Sequence, residues 1–556
     1  MRATLGVIAA VMALAVSACG NSVTTGNSSS SGGGAGGTAS STANATVSSV
    51  PKATGPVPSV TWNLQFGEPS SLDWLHAFDY SENTVVANMC ESLLRLDPDF
   101  KIVPALASSY QAIPKAAPTK YVMNLRQGVT FWDGKPMTAA DVVYSLERNL
   151  DPKVGSYWES TYQYVKSIKQ TGPSQVTISM KRPDALFSEF LALPTAGVGE
   201  KAYIQSKGSS YGTPDGGVMC TGPYEFVKWN KGDSIVLKKN PHYWDTSLQP
   251  KVNTIKFTFL SDDASATSAL VSGEVDGEYD VPLSGLTQLK SSSVGKFYSG
   301  PGLQTLDVGI ASLKGGLKSQ LIREALLKTI DYQGIVKTVL QGTGEPIPTL
   351  VTPATYDGYA QSVWQQGLKD IPAATQDMAQ AKALVKQAGG PPKQPIVIAY
   401  RPSNQLYTQV LDSLQSGAAK VGIKIVLHGI PDSTYADLFD DAKARAGLDG
   451  LITLNYTDVP DPLEFYTQIA VPKVPENFDG YNDTQVANLL GQARESGDPT
   501  TRAQLTVKAQ TLMTKQVIWI PIVGVKTRLF MNNRITGAPS TFVYLYYPWA
   551  ADLGKS

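Results

Sequence analysis

The chain has 556 residues, enough for about three to five domains of ordinary size or fewer large ones. Lys+Arg and Asp+Glu both number 47, and this zero net charge argues against a nucleic-acid binder, which needs clustered positive charge. With only 3 His and 3 Cys the chain is a poor vehicle for zinc, iron–sulfur or haem, so no metal or cofactor is expected, and 25 Tyr and 9 Trp favour a large binding or carbohydrate-handling protein.

The chain opens with Arg2 and an apolar run over 5–16, too short to span a bilayer and the right length for the core of a signal peptide. Val16-Ser17-Ala18-Cys19 follows and resembles a lipobox. The expectation is a signal peptide over 1–18 and lipid attachment at Cys19. The next stretch, 19–56, is almost wholly Gly, Ser, Thr, Ala and Asn, cannot bury apolar surface, and reads as a disordered tether. Its GGGAGG has no strand before it and no helix after it, so it carries no dinucleotide reading. Of the remaining cysteines, Cys90 and Cys220 are expected to pair in an exported protein, the alternative being two buried thiols.

Val60, Trp62 and Leu64 alternate as a strand, and a helical pattern runs from 81 to 94. Tyr121, Met123 and Leu125 make another strand, and Asp133-Gly134 a tight turn. Thr138 and Asp141 have capping-box spacing ahead of a helix. The segments around Tyr224 and Ile235 flank a hairpin turn at Lys231-Gly232-Asp233. A strand over 255–259 leads through Asp262-Asp263 into a helix that stops at Gly273, and 277–281 returns as a strand. One long amphipathic helix is expected over 322–342. Beyond 375 helices and strands alternate: helix 378–387, strand 396–400, helix 406–419, strand 423–427, helix 435–444, strand 451–456, then helices near 486–493 and 505–514. The reading is α/β with a mixed α+β insertion.

Gly208-Ser209-Ser210-Tyr211-Gly212 matches G-x-S-x-G, but the following Thr-Pro-Asp-Gly-Gly cannot start the helix a nucleophile elbow needs. His76, His242 and His428 stand in no ligand spacing. Of the acidic pairs, Asp262-Asp263 and Asp440-Asp441 read as helix-start or helix-surface charges. Asp458 and Asp461 lie after a strand, where ligands collect in α/β lobes; the bland alternative is a polar turn capping the helix after Pro462.

Several segments in order resemble the extracytoplasmic peptide- and nickel-type solute-binding proteins, family 5: PALASSY at 104–110, YVMNLRQGVTFWDGKP at 121–136, TAADVVYSL at 138–146, TGPY at 221–224, NPHYW at 240–244, GEVD at 273–276, REAL at 323–326 and WIPI at 519–522. The resemblance implies a two-lobed, type II periplasmic-binding-protein-like fold with an extra domain inserted in lobe I. It places lobe I at 57–100, 196–300 and 526–556, the insertion at 101–195, and lobe II at 301–525. It implies no catalysis but capture of a solute for an ABC permease, by a monomer lipid-anchored on the outer face of the cell membrane. Among such binders the peptide class is the closest. Asp458 stands where a carboxylate pairs with a peptide ammonium, Arg401 where a dipeptide carboxylate is received, and the backbone at Tyr456 and Thr457 would bond the peptide as an added strand. An oligosaccharide is the alternative solute, and a secreted hydrolase using Asp458 and Asp461 the distant one. Leu306-Asp307-Val308-Gly309 and Tyr332 depart from the common pattern of the family.

Overall fold

The computed structural model describes residues 50–556, apart from 78, 357 and 475. The expected signal peptide, Cys19 and most of the tether lie outside the described residues. Residues 50–56, placed in the tether by composition, are instead bound to the body. The Thr54 amide donates to Lys555 O at 2.8 Å, and Thr536 Oγ1 donates to Pro51 O at 2.7 Å. Small side chains leave this backbone free to pair with the short C-terminal strand Gly554–Lys555.

An eleven-stranded mixed sheet runs through the molecule. Its order is Ile425–Gly429, Ile396–Tyr400, Gly450–Tyr456, Gly295–Ile310, Trp519–Asn532, Gly277–Tyr279, Val57–Asn63, Val252–Thr258, Ser234–Lys239 and Tyr224–Asn230, with Gly344–Pro346 pairing off the path on Trp519–Asn532. The two long strands at its centre, Gly295–Ile310 and Trp519–Asn532, pair antiparallel, with register shifts between Gly300 and Gln304 and between Leu306 and Asp307. The first and wider break falls at Gly300-Pro301-Gly302. A Cβ at Gly300 would stand 1.9 Å from Ser540 O and one at Gly302 2.1 Å from Val525 O, so only glycine permits these approaches.

Apolar side chains collect on either side of this break. One set spans 57–257 and takes in 529–553; another gathers residues 306–525. A third surrounds a separate four-stranded antiparallel sheet ordered Ala107–Ile113, Lys120–Leu125, Gln175–Met180, Val165–Gly172. That sheet is tied to the helices Thr484–Glu495 and Pro499–Gln516. Arg494 grips Asp184 with two bonds of 2.9 Å, and Arg502 Nη2 meets Glu189 Oε1 at 2.6 Å.

Local signals behave as the sequence suggests at several points. Thr138 and Asp141 form a complete capping box for Ala139–Glu147, and Asp262 caps Asp263–Ser272, which ends at Gly273 with φ 80°. Three helices differ. The pattern over 81–94 is helical only at Tyr80–Val86, because beyond it the backbone bonds elsewhere: Met89 O accepts from Gly222, Asn88 O from Tyr224, and Cys90 is joined to Cys220 in a disulfide. The helix expected over 322–342 stops at Thr329, where Asp331 turns its carboxylate onto the Gly334 amide at 2.8 Å and starts a new turn. The helix over 435–444 is two short pieces, Asp432–Tyr435 and Asp437–Asp440. Ser210 sits in a single turn and donates to Lys207 O, so it has no elbow.

Candidate functional site

Strand Gly450–Tyr456 lies between a parallel neighbour, Ile396–Tyr400, and the antiparallel crossing strand Gly295–Ile310. At its end the chain turns through Thr457-Asp458-Val459-Pro460-Asp461 into helix Pro462–Ala470. Pro462 supplies a preset φ at the first helical position, and Asp461 caps the helix by accepting from the Leu463 amide at 2.9 Å. Asp461 is fully buried, with Oδ2 3.4 Å from Arg502 Nε. It is therefore a structural carboxylate, and the acid–base pair that a hydrolase would need from Asp458 and Asp461 does not form.

Asp458 has a different setting. Its Oδ1 accepts from the Tyr546 hydroxyl, and its amide donates to Glu464 Oε2 at 2.9 Å, an oxygen that also accepts from the Val459 amide at 3.3 Å. Burial raises the Asp458 pKa, opposed by its bonds to Glu464 and Tyr546. Burial, and then the Asp458 charge, hold Glu464 well above the ordinary carboxylate range.

Aromatic rings line the same place. The Tyr456 ring is 5.4 Å from Tyr80 and 5.3 Å from Phe542, and Tyr80 stacks on Phe66 at 4.3 Å. Gln304, in register with Tyr456 across the sheet, donates to the Tyr80 hydroxyl at 2.6 Å. Phe66 and Tyr157 remain 48% and 56% exposed, unusual for large rings in a chain whose other aromatics are mostly buried. The Thr457 amide donates to Leu303 O at 3.3 Å.

Arg401 follows strand Ile396–Tyr400, its guanidinium 4.6 Å over the Tyr435 ring. Ala399 is level with Leu451. By that register Arg401 is level with Thr453, five positions before Asp458 in the chain. Asp458, Tyr456 and Thr457 are thus gathered in one wall, and Arg401 stands apart from them at the neighbouring strand's end. A cavity of about 790 Å³ is lined by Pro460, Tyr110, Tyr121, Tyr359, Glu189 and Arg502; Asp458 does not line it.

The sequence reading missed Glu464, Tyr546, Tyr80, Phe66, Phe542 and Gln304. Glu464 had a signal, but a misleading one. Asp461 and Glu464 have capping-box spacing, which points Glu464 back at its own cap, whereas its carboxylate reaches the amides of Asp458 and Val459 upstream.

Comparison with known proteins places this geometry. Residues 101–474 match the model of bacterial extracellular solute-binding proteins, family 5 Middle. The glutathione-binding protein of Escherichia coli strain K12 is 26% identical over 478 residues, covering 84% of this chain and 89% of that protein. Among solved structures, the periplasmic binding protein DppA of Helicobacter pylori, in complex with the peptide STSA, superposes with a TM-score of 0.75 at 21% identity, covering 90% of this chain and 98% of that one. NikA of Brucella suis, in complex with Fe(III)-EDTA, gives 0.77 at 20%, covering 90% and 100%. The fold is that of the type II periplasmic binding proteins, and the chain belongs to the bacterial extracellular solute-binding proteins of family 5, binding partners of ABC permeases and not enzymes.

Proposed function

We propose that this chain captures short peptides between two lobes and delivers them to its permease as a monomer moored through lipid at Cys19. The observation that carries the peptide reading is Asp458: a partly buried carboxylate with one hydroxyl donor and, among the described residues, no ion-paired cation, in an aromatic wall at the end of a central strand. A buried ammonium needs such a partner. Arg401, at the end of the neighbouring strand, offers the opposite charge for a peptide carboxylate. The backbone of Tyr456 and Thr457 lies between the two. The glutathione-binding relative supports a peptide solute in its own case.

The lobes proposed are 57–100 with 196–300 and 526–556, against 301–525, with 101–195 inserted in the first. This division is supported by the packing of 529–553 with 57–257 and by the break at Gly300-Pro301-Gly302 in the crossing strands. Small-angle scattering tests closure: the radius of gyration should fall on adding solute. The intact mass of the mature chain extracted from membranes tests lipid at Cys19.

Calorimetric titration of one free and one N-acetylated peptide against wild type and Asp458→Ala tests the site. Losing the Asp458 charge beside a buried ammonium should weaken free-peptide binding by roughly 2–5 kcal/mol. The acetylated peptide should bind wild type poorly and lose little more in the variant. Arg401→Ala should cost dipeptides a comparable amount and longer peptides less. Equal losses for the two ligands would remove the ammonium role and favour an oligosaccharide stacked on Phe66 and Tyr157.

A further inference from the structure

We propose that Glu464 is the second acid of the amine subsite: in the empty cleft it shares one proton with Asp458, and an incoming ammonium displaces that proton to solvent, so cation uptake and proton release are one event. The inference rests on the peptide reading above. Charge balances across the step. A monoanionic acid pair and one ammonium become two carboxylates with the ammonium between them, plus one proton in bulk water.

The geometry makes the pair a unit. Glu464 is 2% exposed, and its Oε2 is held by the amides of Asp458 and Val459 at 2.9 and 3.3 Å. The bond to the Asp458 amide sets the Glu464 carboxyl beside the residue whose Oδ1 takes the Tyr546 hydroxyl. Two neighbouring buried carboxylates resist joint ionisation until a cation arrives. From other elements, Asp79 at the start of helix Tyr80–Val86 acts on Tyr157 and Tyr456, and Glu476 after helix Pro462–Ala470 acts on Tyr157, so the charge they add to this wall is negative. Arg494 senses the Glu464 charge, but its Nε and Nη2 are both bonded to Asp184. Burial raises both carboxyls, and the Asp458 charge raises Glu464 further.

A separate feature of the wall points to a ligand that donates hydrogen bonds. Among the described residues, two buried acceptors beside the pair have no partner: Thr457 Oγ1, in a residue 2% exposed, and Gln304 Oε1, in a residue 1% exposed whose Nε2 is already bound to Tyr80. Unpaired buried acceptors are costly, and an ammonium or peptide N–H relieves them.

The test is calorimetry of the full chain with L-alanyl-L-alanine in two buffers of different ionisation enthalpy, between pH 5.5 and 7, below the peptide's own amine pKa of about 7.7–8.0. Wild type should release between about half and one proton per peptide, and its Kd should tighten by up to about tenfold per pH unit. In Glu464→Gln, which can still accept both amides, release should fall below about 0.2 proton and the pH dependence should flatten. Binding without proton release in wild type, or equal release in the variant, overturns this inference and leaves the peptide reading standing. Absence of any binding heat from L-alanyl-L-alanine in wild type, which would also show as no melting shift, overturns both. Carbon-13 titration of the empty chain gives a ligand-free check: two well-separated carboxyl steps in wild type, collapsing to one lowered step in Glu464→Gln, agree with the shared proton, and two ordinary, overlapping steps contradict it.

Discussion

Truncating Arg494 to alanine examines how the four-stranded sheet is held. Arg494 Nε and Nη2 each lie 2.9 Å from an oxygen of Asp184, whose side chain is fully buried, while the Arg494 side chain is 11% exposed. The Arg494→Ala variant leaves that carboxylate in the interior without its cation, which costs about 3–5 kcal/mol. The pair as such is worth much less, since its mutual attraction is largely offset by the desolvation of both ions. Replacing both partners, Arg494→Met with Asp184→Leu, should therefore return stability to within about 1–2 kcal/mol of wild type. The neighbouring backbone bond from the Ala185 amide to Arg494 O, 2.7 Å, persists in every variant and does not confound the comparison. Urea unfolding gives the free energies, and hydrogen exchange in Lys120–Leu125 shows whether the loss is local to that sheet. A loss below about 1 kcal/mol in Arg494→Ala, or a double variant as unstable as the single one, would refute the reasoning.

Glu278 is fully buried, and burial, with the charges of Asp263 and Asp280, pushes its pKa up to about 8 against the bond from Asn63 Nδ2 at 2.7 Å. The folded chain therefore binds this proton more tightly than the unfolded chain. Its contribution is complete below about pH 4.3 and is lost as pH rises toward 8, at up to about 1.4 kcal/mol per unit. Glu278→Gln keeps the Asn63 bond, so its stability should match wild type near pH 4.3 and exceed it by about 2–4 kcal/mol at pH 7.5; parallel curves in urea titrations across that range would contradict the assignment. The Cys90–Cys220 disulfide closes a loop with a sequence separation of 130. Replacing both by alanine should cost about 2–5 kcal/mol, read as a lower melting temperature that reductant no longer changes.

Elements whose cause lies within a few residues were legible in the sequence. The box at Thr138 and Asp141, the Asp262 cap with its Gly273 stop, and the strands Val57–Asn63 and Gly450–Tyr456 follow from capping chemistry and alternation, which need no distant partner. The ordered motifs of the family likewise led to the fold, and the position of Asp458 at a strand end came from the run of residues around it. Other features needed the folded chain. The 81–94 pattern is helical on paper, yet its second half gives its carbonyls to Gly222 and Tyr224, because those tertiary bonds replace the helical ones. Residues 50–56 look like tether until Lys555 supplies a strand edge to pair with. Asp458 and Asp461 are three residues apart and nearly alike in sequence. Only the packing separates them: Arg502 and the Leu463 amide claim Asp461, whereas Asp458 is left to Glu464 and to Tyr546, 88 residues away. A carboxylate's role is set by the charge and donors around it, and those come from parts of the chain that sequence spacing does not relate.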